Sequence, residues 1–397
     1  MDVARLRGTP FNCLVIDPAA KPPAEAVLDQ ARRAGLEVIP ISAAPAEVLP
    51  GCGWPRVDTG GKDGASSGPT GLPWIESNGW RIRLARAKSP KQNIWVRYGK
   101  LPEKTALPLT REAYALAVAD AAAHGGNWIV ELDEELRRGL ASEDSRSLRT
   151  WRELVSTVEF FLRRKEWNAL PPQAVLGVVS DFAGDNEFVA TELLNLLARR
   201  QVGYRIIPVD KASPAETRGL HALLCAMQTP PAADRLQLFV SFARAGGLSI
   251  LPAAATAALP AGTAEADSHA GFTVRGVGQG RIAVAKQSWD DPYLAARDVH
   301  FLVSRRHDRV HLYNASSVNS YATSAEDGAR AVVHLLNYSM RPPGSPVTLA
   351  VRKRYRQARL WTAGADGADG LRMTAEADWL EMPLPAFSVY AAVELLA

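Results

Sequence analysis

Apolar residues fall into short runs and helical stripes through the first part of the chain. Residues 12–17 (NCLVID) form an apolar run that predicts a buried strand. An amphipathic helix is predicted over 23–34, stopped by Gly35, and a second strand over 37–41 (EVIPI). Strand, helix and strand in that order predict parallel pairing. Further strands are expected at 93–98 (NIWVRY) and 128–132 (WIVEL). Between them a helix over 111–124 has Leu116, Val118 and Ala119 on its apolar side. A longer helix over 145–166 carries Trp151, Leu154, Val158, Phe161 and Leu162 as its buried stripe. Residues 51–71 have the Gly, Pro, Ser and Thr content of a surface loop. About five or six strands alternating with helices predict a shortened (β/α) barrel over residues 1–169, with fewer strands than a complete barrel holds.

Leu170-Pro171-Pro172 marks a boundary, because two prolines stop a helix and stiffen the link. Beyond it the α/β alternation restarts: strands at 174–180, 204–209, 222–227 and 248–252, helices at 187–200 and 233–245, the last ended by Gly246-Gly247. This pattern predicts a flavodoxin-like domain over 170–286. From about residue 272 the period shortens to two, in RIAVAK, RVHLYN, AVVHLLNYS, VTLAV, QARLWT and SVYAAVEL, with a helix at 292–305 interrupting. Alternation of this kind predicts half-buried antiparallel strands, hence a β-sandwich over 287–397. The expected fold class is α/β plus all-β.

Composition narrows the partners. The 397 residues are 47% hydrophobic and 22% charged, as in ordinary globular proteins. No long apolar run lacks charge, which excludes a transmembrane helix and a membrane partner. The first residues lack the basic, apolar and small-residue segments of a secretory leader. The expectation is a cytoplasmic protein as given, or an exported one if a leader is missing. Cys13, Cys52 and Cys225 are isolated, arguing against a disulfide framework and a zinc site. The net charge of +4 is spread along the chain, and the basic run at 352–359 (RKRYRQAR) reads as a solvated strand face, not a nucleic-acid surface.

Three segments carry a family likeness. LLCAMQTPPAADRLQLFVSFARAGGLSIL resembles the middle domain of multidomain β-galactosidase-type glycoside hydrolases, including its helix ending in a RAGG turn. Gly278-Gln279-Gly280-Arg281-Ile282 resembles the strand that closes that domain, and AVVHLLNYS with the terminal VYAAVEL is similar to the C-terminal sandwich of such enzymes. The likeness covers roughly residues 170–397 and places the first part where those enzymes carry their barrel. It implies a carbohydrate partner and no cofactor. The same middle fold occurs in glutamine amidotransferases, but Cys225 lies inside a strand and not on a Gly-x-Cys-x-Gly elbow, which argues against amidotransfer.

Glycosidic cleavage needs two carboxylates, one protonated and one ionised, and in a barrel they sit at the C-terminal strand ends. Glu76 is the first candidate: Trp74 and Trp80 flank it, able to stack on sugar faces or to pack, and Asn78 can bond a hydroxyl. Glu131 and Asp133 follow an apolar strand and share a face. Asp17 ends the first strand, a mouth position or a turn residue ahead of Pro18. Glu76 is expected to pair with Glu131 or Asp133 across a sugar-binding cleft. Residues 180–187 (SDFAGDNE) are a second candidate, as a ligand loop or an acidic loop and helix cap.

Other signals carry no chemistry. Gly276-Val277-Gly278-Gln279-Gly280 precedes a strand and not a helix, so it cannot cradle a pyrophosphate. Gly60-Gly61-Lys62-Asp63 lacks the Ser or Thr of a P-loop. In a strand, His307 and His311 would stand about 13 Å apart, too far to share a metal. A non-catalytic relative that binds glycan or serves as an assembly scaffold is the alternative to a hydrolase, and self-association into a homo-oligomer is open under either.

Overall fold

The computed structural model describes residues 3–19, 24–57, 73–99, 109–229, 231–259, 263–264, 269, 271–352, 355–365 and 367–397. Most of the Gly/Ser-rich loop, including Gly60-Gly61-Lys62-Asp63, lies outside them. Among the described residues no helix is long and apolar enough to cross a membrane.

The first part runs β1 (Cys13–Ile16), α1 (Glu25–Arg33), β2 (Glu37–Pro40), β3 (Ala46–Cys52), β4 (Arg56–Val57), β5 (Ile75–Glu76), α2 (Gly79–Lys88), β6 (Asn93–Tyr98), α3 (Arg111–Ala122), β7 (Asn127–Trp128), α4 (Glu134–Ala141) and α5 (Ser145–Leu162). β1 and β2 pair in parallel, as do β3, β6 and β7 in a second sheet, while β4 and β5 form an antiparallel pair. Among the described residues no ladder joins the two parallel sheets, so no barrel closes. The predicted strand at 128–132 stops at Trp128, and only the Ile129 N–H continues it, donating to Val96 O at 2.8 Å.

Helix α3 explains much of this departure. Its Thr110 cap accepts from Ala113 N at 3.2 Å, and the helix is buried on nearly every side. Ala115, Leu116 and Ala119 join a core shared with the C-terminal part, Tyr114 and Val118 pack with α4 and α5, and Ala117 and Ala121 pack with β3 and β6. A helix that is apolar all round belongs in an interior, whereas a barrel's outer helices bury one stripe. Small alanines let three layers approach it. Beside it Trp54, Tyr98, Tyr114 and Trp128 fill the space at the strand ends, with ring centroids 5.4 to 6.1 Å apart.

The middle part holds β8 (Leu176–Ser180), α6 (Glu187–Arg199), β9 (Tyr204–Pro208), β10 (Ala222–Cys225), α7 (Ala233–Arg244), β11 (Leu248–Leu251), β12 (Thr263–Ala264), β13 (Phe272–Val277), β14 (Gly280–Ala285) and α8 (Pro292–Val303). Its sheet runs β12-β13-β14-β11-β10-β8-β9, parallel from β14 to β9 and antiparallel beyond β14. Strands β8, β10 and β11 are wholly buried, as expected of apolar strands covered on both faces. α8, predicted as an interruption of the sandwich, instead packs its Ala296 and Val299 into the core of β8 and α6.

The rest is two antiparallel sheets. One holds β16 (Val318–Ser324), β17 (Arg330–Asn337), β23 (Tyr390–Leu396), β19 (Gln357–Thr362) and β20 (Asp369–Gly370), in that order. The other runs β15 (Val310–Tyr313), β18 (Thr348–Arg352), β22 (Trp379–Pro383) and β21 (Thr374–Glu376). Ala331, Val333 and Leu335 of β17 face the core between the sheets, while Val332 and Leu336 face α3 and α5. Burial on both faces is why AVVHLLN is a continuous apolar run and not an alternating one.

Candidate functional site

The strand ends of the first part bring two of the expected acids together. Asp17 follows β1 and Glu131 follows β7, and Arg97 near the end of β6 holds both, at 2.6 Å from Nη1 to Asp17 and 2.7 Å from Nε to Glu131. One guanidinium thus ties the two parallel sheets. Arg97 and the Ala19 backbone N–H hold the Asp17 carboxyl below the usual range. Trp54 and Trp128, both half-buried, stand at the same strand ends. Replacing Arg97 with Gln should raise the Asp17 pKa toward the ordinary 3.8. A carboxyl NMR titration checks this, and an unmoved Asp17 would show that the backbone N–H sets its value alone.

Asp133 is placed differently. It is the N-cap of α4, its Oδ1 accepting from Leu136 N at 2.7 Å and its Oδ2 from Leu109 N at 3.2 Å. Its own N–H donates to Tyr114 Oη at 2.9 Å. A side chain that satisfies orphan helix N–H groups is spent on folding.

Glu76 lies on β5, outside both parallel sheets. It rests against Gly53, where a Cβ would come within 3.4 Å of Glu76 Oε2. Trp80 is buried and Trp74 packs beside it in the core built by the middle part. The Arg81 guanidinium lies 4.4 Å over the Trp80 ring, so that face is taken. Asn78 is also occupied: its Nδ2 donates to Gly53 O at 2.9 Å and to Asp120 Oδ2 at 2.8 Å.

Three residues near Glu76 were not singled out by sequence. Glu192 on α6 is pushed up by burial, against a hydrogen bond from Asn195 and the charge of Arg81, and the charge of Glu76 adds to the rise. Arg199, held down to about 10 by burial, donates to Asn319 Oδ1 and to Pro73 O, each at 2.8 Å, linking all three parts. Asp120 of α3 is fully buried and accepts from Tyr338 Oη at 2.7 Å as well as from Asn78. Burial pushes its carboxyl up while those hydrogen bonds pull it back. A lone acid inside the apolar run AYALAVADAA was the available signal for Asp120, and an acid and an amide three apart on an apolar helix for Glu192.

The loop after β8 is bonded to itself and to its neighbour. Both Asp181 oxygens accept from Asn186 Nδ2 at 3.1 Å, and Asn186 Oδ1 accepts from Gln228 N at 2.8 Å. Asn186 therefore braces the loops after β8 and β10 and does not cap α6 through its side chain. His307 falls in a turn at Arg305–His307 ahead of β15, not in a strand, and stacks on His221 at 3.5 Å.

No protein-family model and no curated protein matches the sequence. Solved structures match in fold. The α-L-fucosidase isoenzyme 2 from Paenibacillus thiaminolyticus aligns with a TM-score of 0.54 at 12% identity, over 96% of this chain and 73% of its own. Gan42B, a GH42 β-galactosidase from G. stearothermophilus, aligns with a TM-score of 0.53 at 11% identity, over 80% of this chain and 56% of its own. The chain thus spans little more than half of that β-galactosidase. At such identities the likeness is one of fold: an α/β region joined to a β-rich region, laid out as in glycoside hydrolases.

Proposed function

We propose that this chain, with its fold shared with glycoside hydrolases, is a non-catalytic relative of them that binds carbohydrate. In this reading the first part is a reduced (β/α) barrel and the middle sheet a flavodoxin-like support, since its parallel strands run in the order β9-β8-β10-β11-β14. One observation carries the reading: the acids at the strand ends are engaged, Asp17 and Glu131 by a shared Arg97 and Asp133 by the α4 N-terminus. Arg97 holds the Asp17 carboxyl in its ionised form and occupies Glu131 with the same guanidinium, whereas cleavage needs one protonated carboxyl facing the bond. What remains, the charged hydrogen-bonding triad of Asp17, Arg97 and Glu131, suits the hydroxyl edges of a sugar. Pairing of Glu76 with Glu131 or Asp133 has less support, because Glu76 belongs to the separate β4–β5 pair.

A hydrolase reading keeps one specific support: burial raises the Glu192 carboxyl and the charge of Glu76 adds to the rise, so a second carboxyl stands near Glu76, as glycosidic cleavage requires. A panel of oligo- and polysaccharides separates the two. We expect a rise in melting temperature with at least one glycan and no release of reducing ends. Reducing ends that the wild type releases and Glu76→Gln does not would overturn the non-catalytic reading.

A further inference from the structure

A cleft of about 280 Å³ lies where the three parts of the chain meet, away from the strand ends. Its lining includes Arg83 and Arg86 of α2, Arg205 of β9, His124 after α3, Trp167 before the Pro171-Pro172 link and Tyr321 of β16. Among the described residues that line it, none is an aspartate or glutamate.

The three guanidiniums are fixed without being neutralised. Arg83 Nη2 donates to Tyr204 O at 2.6 Å and its plane lies 4.0 Å over the Tyr204 ring and 4.8 Å over that of Tyr321. Arg86 Nη2 donates to Gly125 O at 2.6 Å, and Arg205 Nη1 to Glu216 O at 2.5 Å. All these acceptors are neutral, and among the described residues none of the three arginines forms an ion pair with a carboxylate. Like charges gathered at a partly dry surface repel, so the arrangement is poised to gain from an anion.

Size and shape limit the ligand further. The volume is just under the roughly 300 Å³ at which drug-sized pockets begin, which is room for one sugar ring inside the cleft. The Trp167 and Tyr321 rings already pack on protein groups, Trp167 against Phe160 and Trp361 and Tyr321 against His124 and Arg83. Recognition there falls to hydrogen bonds and charge, and guanidinium forks match oxyanions best.

We propose that this cleft is a binding site for a single sugar ring bearing an oxyanion, a carboxylate or a sulfate, held by Arg83, Arg86 and Arg205. The sugar half of the proposal rests on the carbohydrate reading above; the anionic half rests on the arginines alone. Titration calorimetry on the full chain with glucuronate, glucose 6-sulfate, glucose and inorganic sulfate tests it. Glucuronate or glucose 6-sulfate should bind at least about tenfold tighter than glucose and than inorganic sulfate, and added salt should weaken that binding. Whichever acidic sugar binds names the oxyanion.

Arg86→Gln and Arg205→Gln should each weaken that binding about tenfold or more while the unliganded melting temperature stays near wild type. If one variant fails to fold, the other decides. Glucose binding as tightly as the acidic sugars would overturn the anionic half and leave the carbohydrate reading standing. Inorganic sulfate binding as tightly as the acidic sugars would overturn the sugar half. No binding by either acidic sugar, or wild-type affinity in both variants, would overturn the site, whatever the neutral glycan panel shows at the strand ends.

Discussion

Replacing Asp120 with alanine should lower the stability of the chain by about 3–5 kcal/mol, measured by chemical denaturation. Asp120 is fully buried on α3 and accepts from the Tyr338 hydroxyl at 2.7 Å, from Asn78 Nδ2 at 2.8 Å and from Asn78 N at 3.2 Å. Tyr98 Oη, which donates to Ala117 O at 2.8 Å, stands 3.4 Å away. Alanine removes the acceptor and leaves the donors buried, so each loses its partner without regaining water. Tyr338 comes from the C-terminal part, so the loss falls on the junction of two parts. Asp120→Asn keeps one acceptor but turns an amide toward Asn78 Nδ2, and about 1–3 kcal/mol is expected. A cost below about 1 kcal/mol for alanine would mean the junction closes over the gap.

The same residue sets a pH dependence. Because burial raises the folded pKa of Asp120 above the ordinary 3.8, its protonated form is favoured by folding. Its contribution is complete below pH 3.8 and is lost as pH rises through the higher folded value. The stability of wild type relative to Asp120→Asn should therefore fall across that window, and a flat difference would remove Asp120 as its source.

Gly280→Ala should cost about 3 kcal/mol or more, or prevent folding. A Cβ there would lie within hard contact of Gly247 O and Ala243 O, which are backbone atoms and cannot rotate aside. The approach is built into the middle sheet: β14 starts where α7 ends, with Gln279 N donating to Arg244 O at 3.1 Å and Arg281 N to Gly247 O at 3.0 Å. Gly278 has its own reason to be glycine, with φ at +62° and Arg244 Cα 2.8 Å from a would-be Cβ. Gly344→Ala is the control, since nothing lies within 4 Å of its would-be Cβ, and it should change stability by less than about 0.5 kcal/mol. Equal melting temperatures for Gly280→Ala and Gly344→Ala would sink the close-approach argument.

These two sites were unequally visible in the amino-acid order. Gly278-Gln279-Gly280 stood out as glycine-rich, and its place before a strand ruled out a phosphate loop, but only the docked α7 shows what the glycines make room for. Asp120 was an acid in an apolar helix, and nothing local says which hydroxyl or amide meets it. Asp17 and Glu131 were selected as strand-end acids. Their capture by one arginine 80 residues along the chain from Asp17 depends on how two sheets dock. Glu192 entered from another part of the chain altogether.

Residue order alone determined the elements: α/β alternation through 176–251, antiparallel pairing after 310, and a proline link between parts. Periodicity and turn chemistry act over a few residues, so they survive in a linear reading. Tertiary structure decided that, among the described residues, the two parallel sheets of the first part stay unjoined, that α3 is enclosed by three layers, and which charges meet at the strand ends and in the arginine-lined cleft. Those outcomes depend on contacts between segments far apart in the chain, whose energies no local pattern records.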